Sequence, residues 1–130
     1  MAASHEKLQS ESHLFLHNEH PELRGLFHAN FNGLPLILER VIPLTVKLRI
    51  MSILKAVGLV KGVLDYEFYY AGRLYMFDFK VDKDKLSKEQ LEVGAALVKQ
   101  GGAFCEIRSL EQFKEEIQSI LTNGQLTTEE

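Results

Sequence analysis

Apolar side chains recur with the period of an α-helix in two stretches of the first half of the chain. Residues 6–20 have apolar residues near one face, and this helix is expected to end at Pro21, which has no backbone N–H to donate. The second stretch, residues 44–57, is followed by Gly58, a common residue at a helix end. Its helically spaced apolar residues are Leu44, Leu48, Met51, Leu54 and Val57.

Capping patterns predict two further helices in the second half of the chain. The stretch Ser87–Gln100 opens with a serine and has Gln90 three residues later, which is the spacing of a capping box. Ser109 and Gln112 repeat this spacing and open a last helix that is expected to end near residue 121. From about residue 122 the tail is expected to be frayed.

Alternating apolar residues and turn residues predict the strands. Residues 64–70 and 74–81 flank Ala71-Gly72 and form a hairpin, while 26–31 and 103–107 are shorter strands. The predicted order is α-β-α-β-β-α-β-α, which indicates an α/β fold with a small mixed sheet flanked by helices. The last strand follows a helix that crosses over the sheet, so it is expected to run parallel to one neighbour.

The hairpin carries charged residues in an otherwise apolar stretch. With Ala71 and Gly72 as a two-residue turn, Asp65 faces Asp78 across the strands, with Cβ atoms about 5 Å apart. Lys80 follows two residues later on the same face as Asp78. Like charges that face each other destabilise a sheet, but a divalent cation between them reverses this, and Mg²⁺ favours carboxylate oxygens. The pattern therefore predicts a metal site on this hairpin.

Two alternatives stay open for the hairpin. A three-residue loop with Gly72 in a bulge would shift the register by one residue and put the aspartates on opposite faces of the sheet. In the other alternative, each aspartate is an edge residue in solvent, and Lys80 forms an ion pair with Asp78 or Asp82.

Composition and charge are those of one soluble domain over residues 1–130, with 45% hydrophobic and 25% charged residues. The net charge of −3 argues against a general nucleic-acid binder. The segment Arg40–Gly62 nevertheless has basic residues and no acidic one, which indicates either a phosphate-binding face or a solvated helix face.

Cys105 is the single cysteine and is expected to be a buried small hydrophobic residue. Without a disulfide, signal peptide or membrane span, a cytoplasm-like location with no membrane contact is expected.

A set of spaced residues runs from Lys61 to Phe113 and extends the hairpin pattern. Its members are Gly62 and Asp65, Asp78 and Lys80, Ser87 with Gln90, Gly101-Gly102, and Ile107-Arg108-Ser109. In this set the chain resembles the VRR-NUC family of PD-(D/E)XK nucleases. Upstream, ESHLFLHNEHPELRGLFHANFNG resembles the family's first helix and following turn, which gives Glu11 and Asn32 as further candidates. The chain departs from the family pattern at Leu64, where the pattern has proline, and at Asp78, where glutamate is commoner.

The resemblance implies a PD-(D/E)XK nuclease-like core and metal-assisted hydrolysis of DNA phosphodiesters. Asp65 and Asp78 would ligate Mg²⁺ or Mn²⁺, with the Phe79 carbonyl as a third oxygen. Lys80 would activate or position the attacking water. Glu11 would ligate through water or complete a second metal site. The residues expected to follow the DNA backbone are Lys55, Lys61, Lys83, Lys85 and Lys88.

The implied function is a structure-selective endonuclease that works as a homodimer, with a Holliday-type junction as a candidate substrate. Small nucleases of this kind are often encoded by phages or mobile elements. Gln90 would help to position Lys80 or the phosphate as well as cap its helix, and the apolar segment Leu34–Val46 would form part of the dimer surface. The alternative is a catalytically inactive nuclease fold that serves as a nucleic-acid-binding or assembly module.

A separate hypothesis concerns the histidines of the first helix. His13, His17 and His20 have the spacing of one helical face, and three imidazoles on one face can bind Zn²⁺. The same residues can instead be packing residues or contacts to DNA phosphates.

Overall fold

The protein is a mixed α/β fold in a computed structural model that describes residues 2–30, 41–57 and 62–129. The described elements follow the predicted order, with a short 3₁₀ turn after the first helix. Within these ranges the helices and strands are α1 (Ala2–Glu19), β1 (Phe27–Ala29), α2 (Leu44–Ala56), β2 (Tyr66–Tyr70), β3 (Arg73–Phe79), α3 (Lys88–Lys99), β4 (Ala103–Ile107) and α4 (Leu110–Asn123).

The four strands form one open sheet in the order β1-β2-β3-β4. The first three strands are antiparallel to their neighbours, and β4 runs parallel to β3. The mixed sheet and the parallel last strand confirm the prediction. Strand β3 is buried without interruption from Tyr75 to Phe79, because helices or loops cover both of its faces.

The hairpin has the two-residue turn and the register predicted from its sequence. Tyr70 pairs with Arg73 and Tyr66 pairs with Phe77. Ala71 and Gly72 have φ values of 50° and 80°, which is the left-handed backbone that a tight two-residue hairpin turn requires. The bulged alternative is therefore wrong, and the positions of Asp65 and Asp78 follow from this register.

The main core lies between the sheet and the two helices α1 and α4. Phe113 of α4 contacts the rings of Tyr66, Phe77 and Phe79 from the central strands. Cys105 packs against this core as a partly buried side chain, and burial raises the pKa of its thiol to about 12. The thiol is therefore protonated at neutral pH, in agreement with the expected packing role.

The C-terminal tail is packed and not frayed, so that expectation is wrong. The last helix continues to Asn123, and Gly124, with φ of 71°, turns the chain back toward the core. Leu126 is then buried to 2% exposure, and the carboxylate of Glu129 pairs with Arg73 on β3. An apolar residue and an ion pair so close to the end hold the tail in place.

Helix α2 has the predicted bounds to within one residue, yet none of its residues is buried. Several of its large apolar side chains are exposed, among them Leu44, Leu48 and Ile53. Most of the expected dimer segment, residues 34–40, lies outside the described residues, as does Gly58. None of the described helices combines the length and apolar character that crossing a membrane requires.

We expect Gly62→Ala to destabilise the fold by about 1–3 kcal/mol more than Gly25→Ala. Both glycines have positive φ, 91° and 92°, so both substitutions carry the same backbone cost of about 1 kcal/mol. A Cβ at Gly62 would lie 2.6 Å from the backbone carbonyl oxygen of Glu89, whereas a Cβ at Gly25 meets no atom of the described residues within 4 Å. Urea unfolding of the two variants measures the difference, and equal losses would contradict the tight packing of Gly62 on α3.

Candidate active site

The open end of the β2–β3 hairpin brings two carboxylates together. Asp65 directly precedes β2, and Asp78 is the last residue but one of β3. The Asp65 N–H donates to Asp78 Oδ1 at 3.1 Å, and the Phe79 N–H donates to Asp65 Oδ2 at 2.9 Å. Asp65 is 6% exposed and Asp78 is fully buried, so the alternative of two aspartates in solvent is wrong.

The entry to β2 is fixed by Asn30, which no sequence motif indicated as a site residue. The side-chain amide of Asn30 donates to the Leu64 carbonyl at 2.8 Å, and its backbone N–H donates to the Asp65 carbonyl at the same distance. Leu64, the residue in place of the family's proline, is fully buried. The backbone before Asp65 is therefore held by hydrogen bonds and packing.

Gln90 and Lys80 complete the surroundings of Asp78. Gln90 forms the predicted capping box, because its Oε1 accepts from the Ser87 N–H at 2.9 Å and its own N–H donates to Ser87 Oγ. Its Nε2 also donates to Asp78 Oδ1 at 3.0 Å. The ammonium of Lys80 lies 2.9 Å from Asp78 Oδ2, so the ion pair foreseen in one alternative is present.

Burial and repulsion raise the pKa of Asp78 to about 6. Removal from water is the largest cause, the charge of Asp65 adds to it, and the Lys80 ammonium opposes both. Asp78 Oδ2 accepts no well-oriented hydrogen bond in the described structure, although Lys80 is close. A buried carboxylate with one oxygen left over is energetically costly unless a cation or donor meets it.

We expect Asp78 to contribute a loss of stability as the pH rises from about 4 to 6, so that Asp78→Asn loses less stability over this range than the wild type. The folded-state pKa of Asp78, about 6, is above the ordinary value of 3.8, so its contribution is fully present below 3.8 and is lost as the pH rises through 6. The shift corresponds to about 1–3 kcal/mol. Urea unfolding at pH 4, 5 and 6 measures it, with Asp84→Asn in the exposed loop as control; an unchanged slope in Asp78→Asn would contradict this origin.

A histidine from α1 that no sequence motif indicated as a site residue reaches the pair. His5 Nε2 lies 3.0 Å from Asp65 Oδ2, and this hydrogen bond raises the pKa of His5 above its ordinary value. The helical spacing of His5 with the buried Leu8, Ser12 and Leu16 places it on the inward face of α1. The sequence shows this helical spacing, but it does not show which part of the fold packs against this face of α1.

Of the candidates Glu11, Asn32 and Lys61, only Glu11 is among the described residues. Glu11 is half exposed, lies 3.8 Å from Lys7, and makes no hydrogen bond or ion pair with either aspartate among the described residues. It is one position away from the buried face of α1, and its ligation through water or at a second metal site stays a prediction. Asn32 and Lys61 lie outside the described residues.

The zinc hypothesis for α1 is wrong for the described residues, where no three His, Cys, Asp or Glu side chains are grouped as a metal cluster. His13 Nδ1 is 2.8 Å from the Tyr66 hydroxyl, while His20 lies beyond the end of α1 and contacts Glu22. His13 and His20 therefore have different partners, while the rings of His13 and His17 stack with their centroids 6.2 Å apart.

The predicted DNA-contacting lysines are exposed wherever they are described. Lys83 and Lys85 lie in the loop after β3, and Lys88 opens α3. Arg108 holds this loop, because its guanidinium donates to the backbone carbonyls of Asp82 and Asp84. The lysine contacts remain predictions, as does that of Lys55, which is exposed on α2. The loop that contains Lys83 and Lys85 is thus held by hydrogen bonds to Arg108, the residue that follows β4.

The carboxylate pair offers oxygen donors of the kind that a hard divalent cation prefers, although no third His, Cys, Asp or Glu completes a metal cluster with them among the described residues. The donors are oxygens, both carboxylates are buried, and Asp78 Oδ2 has no well-oriented hydrogen bond. Asp65 and Asp78 would hold Mg²⁺ or Mn²⁺, with the Phe79 carbonyl as the predicted third oxygen. The opposing consideration is that Lys80 and His5 already place two basic groups at the pair.

Comparison with known proteins gives no match: no family model, no curated protein and no solved structure is significantly similar to this chain. The resemblance to the VRR-NUC family therefore depends on the spaced residues of the sequence alone. The fold itself is established only as mixed α/β with an open four-stranded sheet.

Proposed function

We propose that this protein is a Mg²⁺- or Mn²⁺-dependent endonuclease that hydrolyses DNA phosphodiesters. The observation that carries the proposal is the buried Asp65–Asp78 pair with the Lys80 ammonium 2.9 Å from Asp78. Two carboxylates and a lysine at the ends of two adjacent strands are groups that can support metal-assisted phosphodiester hydrolysis. A purely structural ion pair would not require the second buried carboxylate.

Each residue has a distinct part in this chemistry. The bound cation would polarise the phosphate and lower the pKa of a water molecule. Asp65 and Asp78 would hold the cation, and Gln90 keeps Asp78 in its orientation through the 3.0 Å hydrogen bond. Lys80, whose side chain is 16% exposed, would turn from Asp78 toward the attacking water or the developing negative charge.

The substrate in this proposal is branched DNA bound by a homodimer. The exposed lysines after β3, which alternate with Asp82, Asp84 and Glu89, are the described candidates for contacts to DNA phosphates near the site. The exposed apolar residues of α2 are the described candidates for a surface between two copies. Two active sites related by a two-fold axis would cut both strands of a four-way junction.

A second candidate function is a nuclease fold without nuclease activity that binds nucleic acid or assembles with a partner. One observation favours it: Lys80 and His5 already pair with the carboxylates, so the site has charge compensation without a metal. In that case the network only stabilises the hairpin end.

The experiment is cleavage of a labelled four-way DNA junction and a linear duplex of the same sequence. Each is incubated with the protein in Mg²⁺, in Mn²⁺ and in EDTA, and the products are resolved on a denaturing gel. We expect cleavage in either metal, preference for the junction, and none in EDTA. A folded protein that binds the junction but cuts neither substrate would favour the inactive module.

A further inference from the structure

The two carboxylates of the site are held in the same way. Asp78 Oδ1 accepts one backbone N–H, from Asp65, and one side-chain donor, Gln90. Asp65 Oδ2 likewise accepts one backbone N–H, from Phe79, and has one side-chain partner, His5. In each carboxylate one oxygen therefore has two hydrogen-bond partners. The second oxygen of Asp78, Oδ2, lies 2.9 Å from the Lys80 ammonium, which a cation would displace.

We propose that His5 is a positioning residue of the metal site and does for Asp65 what Gln90 does for Asp78. This inference rests on the proposed function, since the oriented oxygens are useful only if a cation binds. Ligating carboxylates are commonly oriented by hydrogen bonds from neighbouring groups, and loss of such a partner weakens metal binding. His5 and Gln90 come from α1 and α3, so both helices contribute to orienting the hairpin's carboxylates.

The geometry indicates a hydrogen-bond donor and not a metal ligand. His5 Nε2 is at hydrogen-bond distance from a carboxylate oxygen, 3.0 Å, and a carboxylate can only accept. Nε2 therefore carries a proton in this contact, and a protonated nitrogen cannot ligate. The side chain is anchored by α1 and is 30% exposed, so it stands at the outer side of Asp65, which is nearly buried.

The first test measures Mn²⁺ affinity of the full-length protein by electron paramagnetic resonance. We expect His5→Ala to weaken binding by about 10- to 100-fold, as loss of an orienting partner does, and Gln90→Ala to weaken it similarly. His5→Gln should restore most of the affinity, because its amide N–H reaches about as far as Nε2. His28→Ala, on the exposed side of β1, is the matched control and should bind normally.

Pulsed measurements on the same samples separate positioning from ligation. A directly bound imidazole nitrogen couples to Mn²⁺, and we expect no such coupling in the wild type. Unchanged affinity in His5→Ala would overturn the proposal, and so would a nitrogen coupling that His5→Ala removes. Circular dichroism confirms that each variant is folded.

A metal-free readout keeps this inference distinct from the proposed function. Nitrogen-15 NMR at a pH where His5 is neutral should show the Nε2–H tautomer, and Asp65→Asn should change it. If the wild type binds no Mn²⁺ but this tautomer is found, the proposed function fails while the orientation of Asp65 by His5 stands. An Nδ1–H tautomer would overturn the orientation itself.

Discussion

Lys80→Ala is expected to lower the rate of junction cleavage by at least about 100-fold, the usual contribution of a group that transfers a proton or stabilises charge in the transition state. The ammonium lies 2.9 Å from Asp78 Oδ2, so it is held where the carboxylates would hold the cation. Cleavage of a labelled junction under single-turnover conditions measures the chemical step directly. DNA affinity should change far less than the rate.

Lys80 also compensates a buried charge, so its removal could act through the fold. Breaking a buried ion pair by deleting one partner costs about 3–5 kcal/mol. Lys80→Gln is therefore tested beside it, because the amide can still donate to Asp78 but carries no charge. Lys83→Ala, in the exposed loop, is the control for loss of positive charge. A Lys80→Gln protein that is folded and cuts at the wild-type rate would remove Lys80 from the proposed chemistry.

Phe113→Ala is expected to destabilise the fold by about 3–5 kcal/mol, the range for deleting a buried aromatic side chain. Phe113 is fully buried, and its ring lies 5.4 to 6.3 Å from those of Phe15, Tyr66, Phe77 and Phe79. These partners belong to α1, β2 and β3, so one cavity would loosen three elements at once. Domains are stable by about 5–15 kcal/mol in total, so this is a large share.

Urea unfolding followed by circular dichroism measures that loss. The control is Tyr69→Ala, which removes a side chain that is 51% exposed on β2 and should cost much less. Similar losses in the two variants would mean that Phe113 is not the centre of the core. Because Tyr66 and Phe79 flank the aspartates in sequence, Phe113→Ala should also weaken Mn²⁺ binding at temperatures where it is still folded.

The order of elements and the hairpin register could be predicted from local pattern. Two strands of alternating apolar residues on either side of the Ala71-Gly72 turn have few possible registers. A shift by one residue would turn their apolar side chains away from the core. Ser87 with Gln90 forms the expected capping box because that interaction is local in sequence. Asp65, Asp78 and Lys80 came together for the same reason.

The partners that come from distant parts of the chain could not be predicted in this way. Glu11 and His5 lie on the same helix, and which of them meets Asp65 depends on how α1 is rotated against the sheet. The packing of the tail could not be predicted either, because it joins residues that are far apart in the sequence. Glu129 reaches Arg73 only after Gly124 turns the chain back. Local propensity contains no information on either docking angle.

The sequence by itself determined the mixed α/β order, the two-residue turn and the facing carboxylates, because these follow from periodicity, capping and the fixed alternation of side chains in a hairpin. The tertiary structure decided that the aspartates are buried, that His5 and Gln90 each hold one of them, and that α2 leaves apolar residues exposed. Burial and long-range hydrogen bonds depend on how whole elements pack, and packing is a property of the folded chain.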